Sequence, residues 1–159
     1  MMKRCSDVLK ALAGKTLVTA ESCTGGGIGA ALTGVPGSSE VYKGGIISYS
    51  NEIKNKVLGV NTDLLEICGA VSEPVAKVMA EGARMLLRAD VAVSVTGLAG
   101  PGGDEYGNPV GTVYIGYSSE ADIAGRKYHC AGDRERIRRQ AIEAALDLIL
   151  ERVGYNEKK

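Results

Sequence analysis

The run Glu21-Ser-Cys-Thr-Gly-Gly-Gly27 places a hydroxyl and a thiol where a short β-rich stretch, Thr16 to Ala20, gives way to a helical pattern at Ile28 to Leu32. Backbone N–H groups at the start of a helix lack intrahelical partners and point outward, so such a junction can stabilise an anion. Ser22 can serve there in either of two roles. As a nucleophile it would attack an amide carbonyl, and the N–H groups of Cys23, Thr24, Gly25 and Gly26 would receive the oxyanion. As a structural residue, Ser22 or Thr24 would cap the helix while the glycines allow close packing. The spacings G-x-G-x-x-G and G-x-x-x-x-G-K-[ST] are both absent, so neither a dinucleotide fingerprint nor a Walker loop accounts for the glycines.

A nucleophilic serine needs a base. His129 is the sole histidine, and it sits between Tyr128 and Cys130 on a predicted strand, a poor place for a Ser-His-Asp triad. One histidine and scattered cysteines also supply no converging metal ligands, so metal-free chemistry without a cofactor is the expectation. The segment Ser48-Tyr-Ser-Asn-Glu-Ile-Lys54 offers the remaining candidates. It predicts Tyr49 at the end of a strand and Lys54 in the first turn of a helix, both able to face one crevice. Lysine titrates at about 10.4 in water, and each pKa unit is worth about 1.4 kcal/mol, so a neutral lysine at pH 7 costs roughly 4 to 5 kcal/mol. Either a desolvated pocket holds Lys54 neutral, or Lys54 stays charged and activates the Tyr49 phenol. Lys54 as an ordinary solvated helix residue is the bland alternative.

The elements that must position these groups follow from periodicity. A helix is predicted over 7–13, ending at Gly14, and a strand over 16–20. A strand over 44–50 leads to a helix over 52–58 with Asn51 as its cap. A short helix spans 62–68. A long one begins at Ser72-Glu-Pro-Val, with Ser72 as cap and Val75, Val78, Met79, Leu86 and Leu87 as its buried stripe. Val91 to Thr96 is a continuous apolar strand, as expected where helices cover both faces. The turn-rich stretch 97–109 is long for a connection, which marks a functional loop. Strands over 110–117 and 123–130 form an antiparallel pair, and Asp133 caps a last helix running to about Val153. Strands alternating with helices and closing with a hairpin predict an α/β fold, a three-layer α/β/α sandwich around a mixed sheet of about five strands. Residues 1–155 form one domain in this scheme and 156–159 a frayed tail.

Nineteen basic and nineteen acidic side chains cancel, which argues against a nucleic-acid partner. No apolar run is long enough to span a bilayer, and no signal-peptide pattern follows Lys3 and Arg4. Four cysteines without a C-x-x-C suit reduced thiols in a cytoplasm. With neither Phe nor Trp, the core must be built from aliphatic side chains and a few tyrosines.

Six motifs, in order, resemble the CinA C-terminal domain family. They are Thr19-Ala-Glu-Ser-Cys-Thr-Gly-Gly26, Tyr49-Ser-Asn-Glu52 with Lys54, Gly69-Ala-Val-Ser-Glu-Pro74, Thr96-Gly-Leu-Ala-Gly-Pro-Gly102, Pro109-Val-Gly-Thr-Val113, and Gly132-Asp-Arg134 with Arg138. The resemblance runs nearly end to end. It implies an anticodon-binding-domain-like sandwich and hydrolysis of nicotinamide mononucleotide to nicotinic acid mononucleotide and ammonia. Ser22, Tyr49 and Lys54 look like that family's catalytic serine, tyrosine and lysine, and a homo-oligomer is implied. Larger members carry an additional N-terminal molybdopterin-binding-like domain, which this short chain is expected to lack.

A nucleotide substrate brings a phosphate. Arg134 and Arg138 lie four apart on one face of the last helix, and arginine suits bidentate phosphate contacts, although the same helix also reads as a charged surface. Thr96, Gly97 and Gly100 follow a buried strand, where ligands bind in open α/β sheets, and are assigned to substrate contact. Two rivals share these motifs: a non-catalytic nucleotide-binding module in which Ser22 only caps a helix, and a serine-lysine amidase acting on another small amide.

Overall fold

The computed structural model describes residues 1–157; of the expected tail, residues 158 and 159 lie outside the described residues. Five strands form one mixed sheet in the order β2-β1-β3-β4-β5. These are β1 Leu17–Glu21, β2 Tyr42–Ile47, β3 Val91–Gly97, β4 Thr112–Ser119 and β5 Ile123–His129. β1 runs parallel to both β2 and β3, whereas β3, β4 and β5 pair antiparallel. The helices are α1 Met2–Ala11, α2 Gly27–Thr33, α3 Asn51–Leu58, α4 Thr62–Cys68, α5 Glu73–Leu86 and α6 Arg134–Arg152. The architecture is the three-layer α/β sandwich expected from the alternation of elements.

Strand alternation divides the core in two. Leu17 on β1 and Val91, Val93 and Val95 on β3 meet α1, α2 and α6. Val18, Ala20 and Ala92 meet α3, α4 and α5 on the opposite face. The second face is lined by smaller residues, and α5 lies close against it: Ser94 Oγ donates to the Ala76 carbonyl at 2.6 Å.

The differences from the predicted elements have local causes. α1 starts at Met2 because its buried stripe extends back to Cys5, in register with Val8 and Leu12. Ser50, not Asn51, caps α3, its hydroxyl accepting from the Ile53 N–H at 3.2 Å; adjacent residues of equal capping ability leave the choice to the strand exit. Ser72 stands at the N-cap position of α5, but its hydroxyl donates to the Gly69 carbonyl at 2.8 Å and caps nothing. The α5 stripe is Val75, Ala76, Met79, Ala80 and Ala83, while Leu86 and Leu87 are exposed. Leu86 is the last residue of α5 and Leu87 its C-cap, so the buried stripe ends before them, at Ala83. β2 begins two residues earlier than expected, at Tyr42, and β4 two residues later, at Thr112.

The packing of α5 on α3 fixes the helix that carries Lys54. Gly82 of α5 faces the last residue of α3 so closely that an added Cβ would strike the Leu58 carbonyl oxygen and lie 2.9 Å from its carbon. Alanine at an exposed helix position gains roughly 1 kcal/mol over glycine, whereas overpacking against a backbone costs about 1–3 kcal/mol. Gly82→Ala should therefore lower the urea midpoint despite its better helix propensity. A variant as stable as the wild type would show that the contact relaxes freely.

Candidate active site

The three parallel strands end at one edge of the sheet, and their exits surround a cavity of about 300 Å³. Ser22 comes from the end of β1, Ser48 and Tyr49 from the exit of β2, and Thr96 and Gly97 from the end of β3. Ser22 still belongs to the ladder, its N–H donating to the Val95 carbonyl at 3.0 Å, so the hydroxyl is held by the sheet. The following turn closes with Gly25 N–H on the Ser22 carbonyl at 3.0 Å and Gly27 N–H on the Thr24 carbonyl at 2.9 Å. Gly25 and Gly26 have φ of 58° and 98°, a left-handed pair that side chains resist, which is the physical need for glycine in this turn.

Lys54 lies in the first turn of α3 and points inward, only 2% exposed. Its Nζ is 3.0 Å from Ser22 Oγ, 2.8 Å from the Ser48 carbonyl and 3.3 Å from the Tyr49 carbonyl. Among the described residues no carboxylate pairs with it. A buried ammonium without a counter-charge is destabilised, and burial pushes the Lys54 pKa down to about 8, the neighbouring Cys23 opposing the shift. Burial pushes the Cys23 thiol the other way, up to about 11, so it is a protonated and inert neighbour of Ser22.

Tyr49 is placed differently from Lys54. Its side chain is 61% exposed, and its phenol oxygen accepts from Arg134 Nη2 at 3.1 Å. The contact between Tyr49 and Lys54 runs through the Tyr49 main-chain carbonyl, so the phenol is not activated by a lysine bond. Arg134 also donates to the Gly100 carbonyl at 2.6 Å, tying the loop after β3 to the exit of β2 across the cavity.

The remaining predicted residues separate into two groups. Cys23, Thr96, Gly97, Gly100 and Arg134 line the cavity together with Ser22, Tyr49 and Lys54. The Thr96 hydroxyl, expected to meet substrate, is instead spent on the Ala70 carbonyl at 2.8 Å, leaving its backbone and methyl to the cavity wall. Thr24, Gly25, Gly26 and Arg138 do not line it. Thr24 donates its hydroxyl to Glu21 at 2.7 Å. Arg138, expected as a phosphate ligand, donates to the Cys23 and Thr24 carbonyls at 3.0 and 3.1 Å and braces the turn from behind. The outward-pointing N–H groups at the start of α2 are likewise occupied, those of Ile28 and Gly29 by the Glu21 carboxylate. His129, the last residue of β5, is exposed and does not line the cavity.

Sequence reasoning missed Asn51, Ala70 and Leu98 in the wall, and Glu21 beneath the turn. Asn51 was legible as a polar residue beside Tyr49. Nothing in its type marks Ala70, which enters through the chain reversal between α4 and α5.

Residues 1–153 match the CinA C-terminal domain model. A CinA-like protein of Prochlorococcus marinus is 60% identical over 102 residues, covering 64% of this chain and 24% of that protein. A CinA-like protein of Synechocystis is 47% identical over 146 residues, 88% of this chain and 34% of that protein. The chain thus spans about a quarter to a third of the length of the curated relatives it matches. Among solved structures, a competence damage-inducible protein A from Klebsiella pneumoniae superposes with a TM-score of 0.93 at 35% identity, covering 98% of both chains. A CinA superfamily protein from Escherichia coli superposes at 0.91 and 36% identity, covering 94% of this chain and 88% of that one. With the family model spanning nearly the whole chain and the fold superposing on solved relatives over almost all of its length, the chain belongs to the CinA C-terminal domain family.

Proposed function

We propose that the protein is a metal-independent amidohydrolase that cleaves the carboxamide of nicotinamide mononucleotide, with Ser22 as nucleophile and Lys54 as base. The single observation that carries this reading is the environment of Lys54 Nζ. A neutral amine has two N–H groups and one lone pair. As an ammonium Lys54 donates to all three oxygens around it; once neutral, it keeps its two N–H groups on the Ser48 and Tyr49 carbonyls and turns its lone pair to the Ser22 hydroxyl at 3.0 Å. A helix-capping serine needs no such partner.

In the proposed reaction Ser22 Oγ attacks the carboxamide carbon while its proton passes to Lys54 Nζ. The N–H of Cys23, which has no acceptor among the described residues, lies next to the nucleophile, where the oxyanion needs a donor. Collapse breaks the carbon–nitrogen bond, and Lys54 returns the proton to the departing ammonia. Water, deprotonated by Lys54, then attacks the acyl-enzyme; as the bond from the acyl carbon to Ser22 Oγ breaks, Lys54 returns that proton to Oγ and the acid departs as its carboxylate. Tyr49 and Arg134, joined at 3.1 Å at the cavity mouth, are assigned to substrate binding and closure of the site. The choice of nicotinamide mononucleotide rests on the family resemblance. The assignment extends to a cytoplasmic homo-oligomer serving pyridine nucleotide salvage.

Three outcomes test the assignment. Chelator-treated protein should release ammonia and nicotinic acid mononucleotide, and Ser22→Ala should lose at least about 10³-fold in kcat while still binding the nucleotide. Absence of product from the wild type would leave a nucleotide-binding module, and equal rates on free nicotinamide would point to another small amide. Because the base must be neutral, kcat/KM should rise with pH and level off above about 8; a profile flat from pH 6 to 9 would remove Lys54 from that role.

The same depressed pKa couples to folding. The unfolded lysine titrates near 10.4 and the folded one near 8, so the unfolded state binds more protons between these values, and stability rises with pH there. Below pH 8 the penalty is fully present. Relative to Lys54→Met, which has no titrating group, wild-type protein should gain about 2 kcal/mol between pH 8 and pH 10 in urea denaturation. Parallel curves for the two proteins would mean that Lys54 is not strained by burial.

A further inference from the structure

Besides Lys54, only one charged side chain is buried among the described residues: Glu21, at 2% exposure. None of the described lysines or arginines forms an ion pair with it. Four donors converge on its two oxygens instead. Oε1 accepts from the Thr24 hydroxyl and the Ile28 N–H, both at 2.7 Å; Oε2 accepts from the Gly29 N–H at 3.1 Å and the Thr19 hydroxyl at 3.3 Å. Tyr42 supports the outer end, its hydroxyl 3.0 Å from Thr19 Oγ1.

Burying a carboxylate costs several kcal/mol unless its hydrogen bonds are complete, and a neutral cap would suffice to start a seven-residue helix. The placement of the carboxylate explains its presence. Glu21 is the last residue of β1, and pleating turns its side chain to the α2 face and that of Ser22 to the α3 face. From there it grips the first turn of α2, so that both ends of the nucleophile's turn are fastened to one group. Charge-assisted bonds are shorter and stronger than neutral ones, and the positive end of a helix favours an anion. Arg138 fastens the carbonyls of the same turn from behind.

We propose that Glu21 is a positioning residue: its carboxylate acts as an internal anion that locks the turn 22–26 and thereby holds Ser22 Oγ against Lys54. The proposal rests on Ser22 being the nucleophile. It also assigns the start of α2 to the protein itself, so the substrate's phosphate must bind elsewhere.

Glu21→Gln keeps the shape but turns an NH₂ group toward the Gly29 N–H, setting donor against donor. Two readouts separate positioning from folding: the rate of Ser22 phosphorylation by diisopropyl fluorophosphate, followed by intact mass, and the turnover of nicotinamide mononucleotide. In a variant with native circular dichroism, labelling rate and kcat should fall together by about 10- to 100-fold, the range that small misplacement of a reacting group produces. KM should stay within about twofold, and the pH limb near 8 should not move, because the burial of Lys54 is untouched. Thr24→Val, which removes one donor and keeps the volume, should give a smaller fall in both rates and decides the matter if Glu21→Gln does not fold. Labelling and turnover within twofold of wild type, or a raised KM at unchanged kcat, would overturn the positioning role. Wild type that turns over substrate but never labels at Ser22 would overturn the nucleophile assignment, and this role with it.

Discussion

A lysine amine buried without a counter-charge has few stable ways to exist, and the rest of the site is arranged around that restriction. Two main-chain carbonyls at the exit of β2 hold its N–H groups. Because Ser48 and Tyr49 present those carbonyls from a segment that the sheet has just released, the geometry depends on where β2 stops. It also depends on the close packing of α3 on α5, which the absence of a side chain at Gly82 permits. The contact between Ser22 and Lys54 is thus a property of three elements, and neither residue's local sequence produces it alone.

The two sides of β1 carry opposite electrostatic tasks. Toward α3, desolvation works against the Lys54 cation and lowers its pKa. Toward α2, a helix N-terminus and two hydroxyls sustain an anion at similar depth. The strand backbone that separates them is saturated by its ladders to β2 and β3, so the groups on either side are fixed with respect to each other without touching.

Much of this was legible in the residues. The alternation of strand-like and helical periods gave the layers, and the hydroxyl, phenol and amine of Ser22, Tyr49 and Lys54 line one cavity as the crevice reading required. What sequence could not decide was which atom of each residue faces which partner. Tyr49 contributes to the lysine through a carbonyl, a group every residue possesses, so its phenol drew attention to the wrong atom. Arg138 looked like an anion ligand because a guanidinium advertises its charge, whereas carbonyls that consume it leave no mark in composition. Glu21 was passed over for the converse reason: a carboxylate at a strand end normally reads as solvated. The α5 stripe is marked in the sequence at Val75 and Met79, whereas the alanines that continue it carry no strong apolar signal and the leucines that do carry one stand at the helix end.

The pleat at the end of β1 carries one more implication, for how such a chain can vary. Deleting or inserting a single residue within the strand would exchange the faces, sending the carboxylate toward the lysine and the hydroxyl into the aliphatic layer. An ion pair would then replace the contact between the Ser22 hydroxyl and the Lys54 amine. By this pleating, changes of length in β1 preserve the two faces only in steps of two, so the five-residue strand carries a parity constraint that a loop, having no alternating faces, does not share.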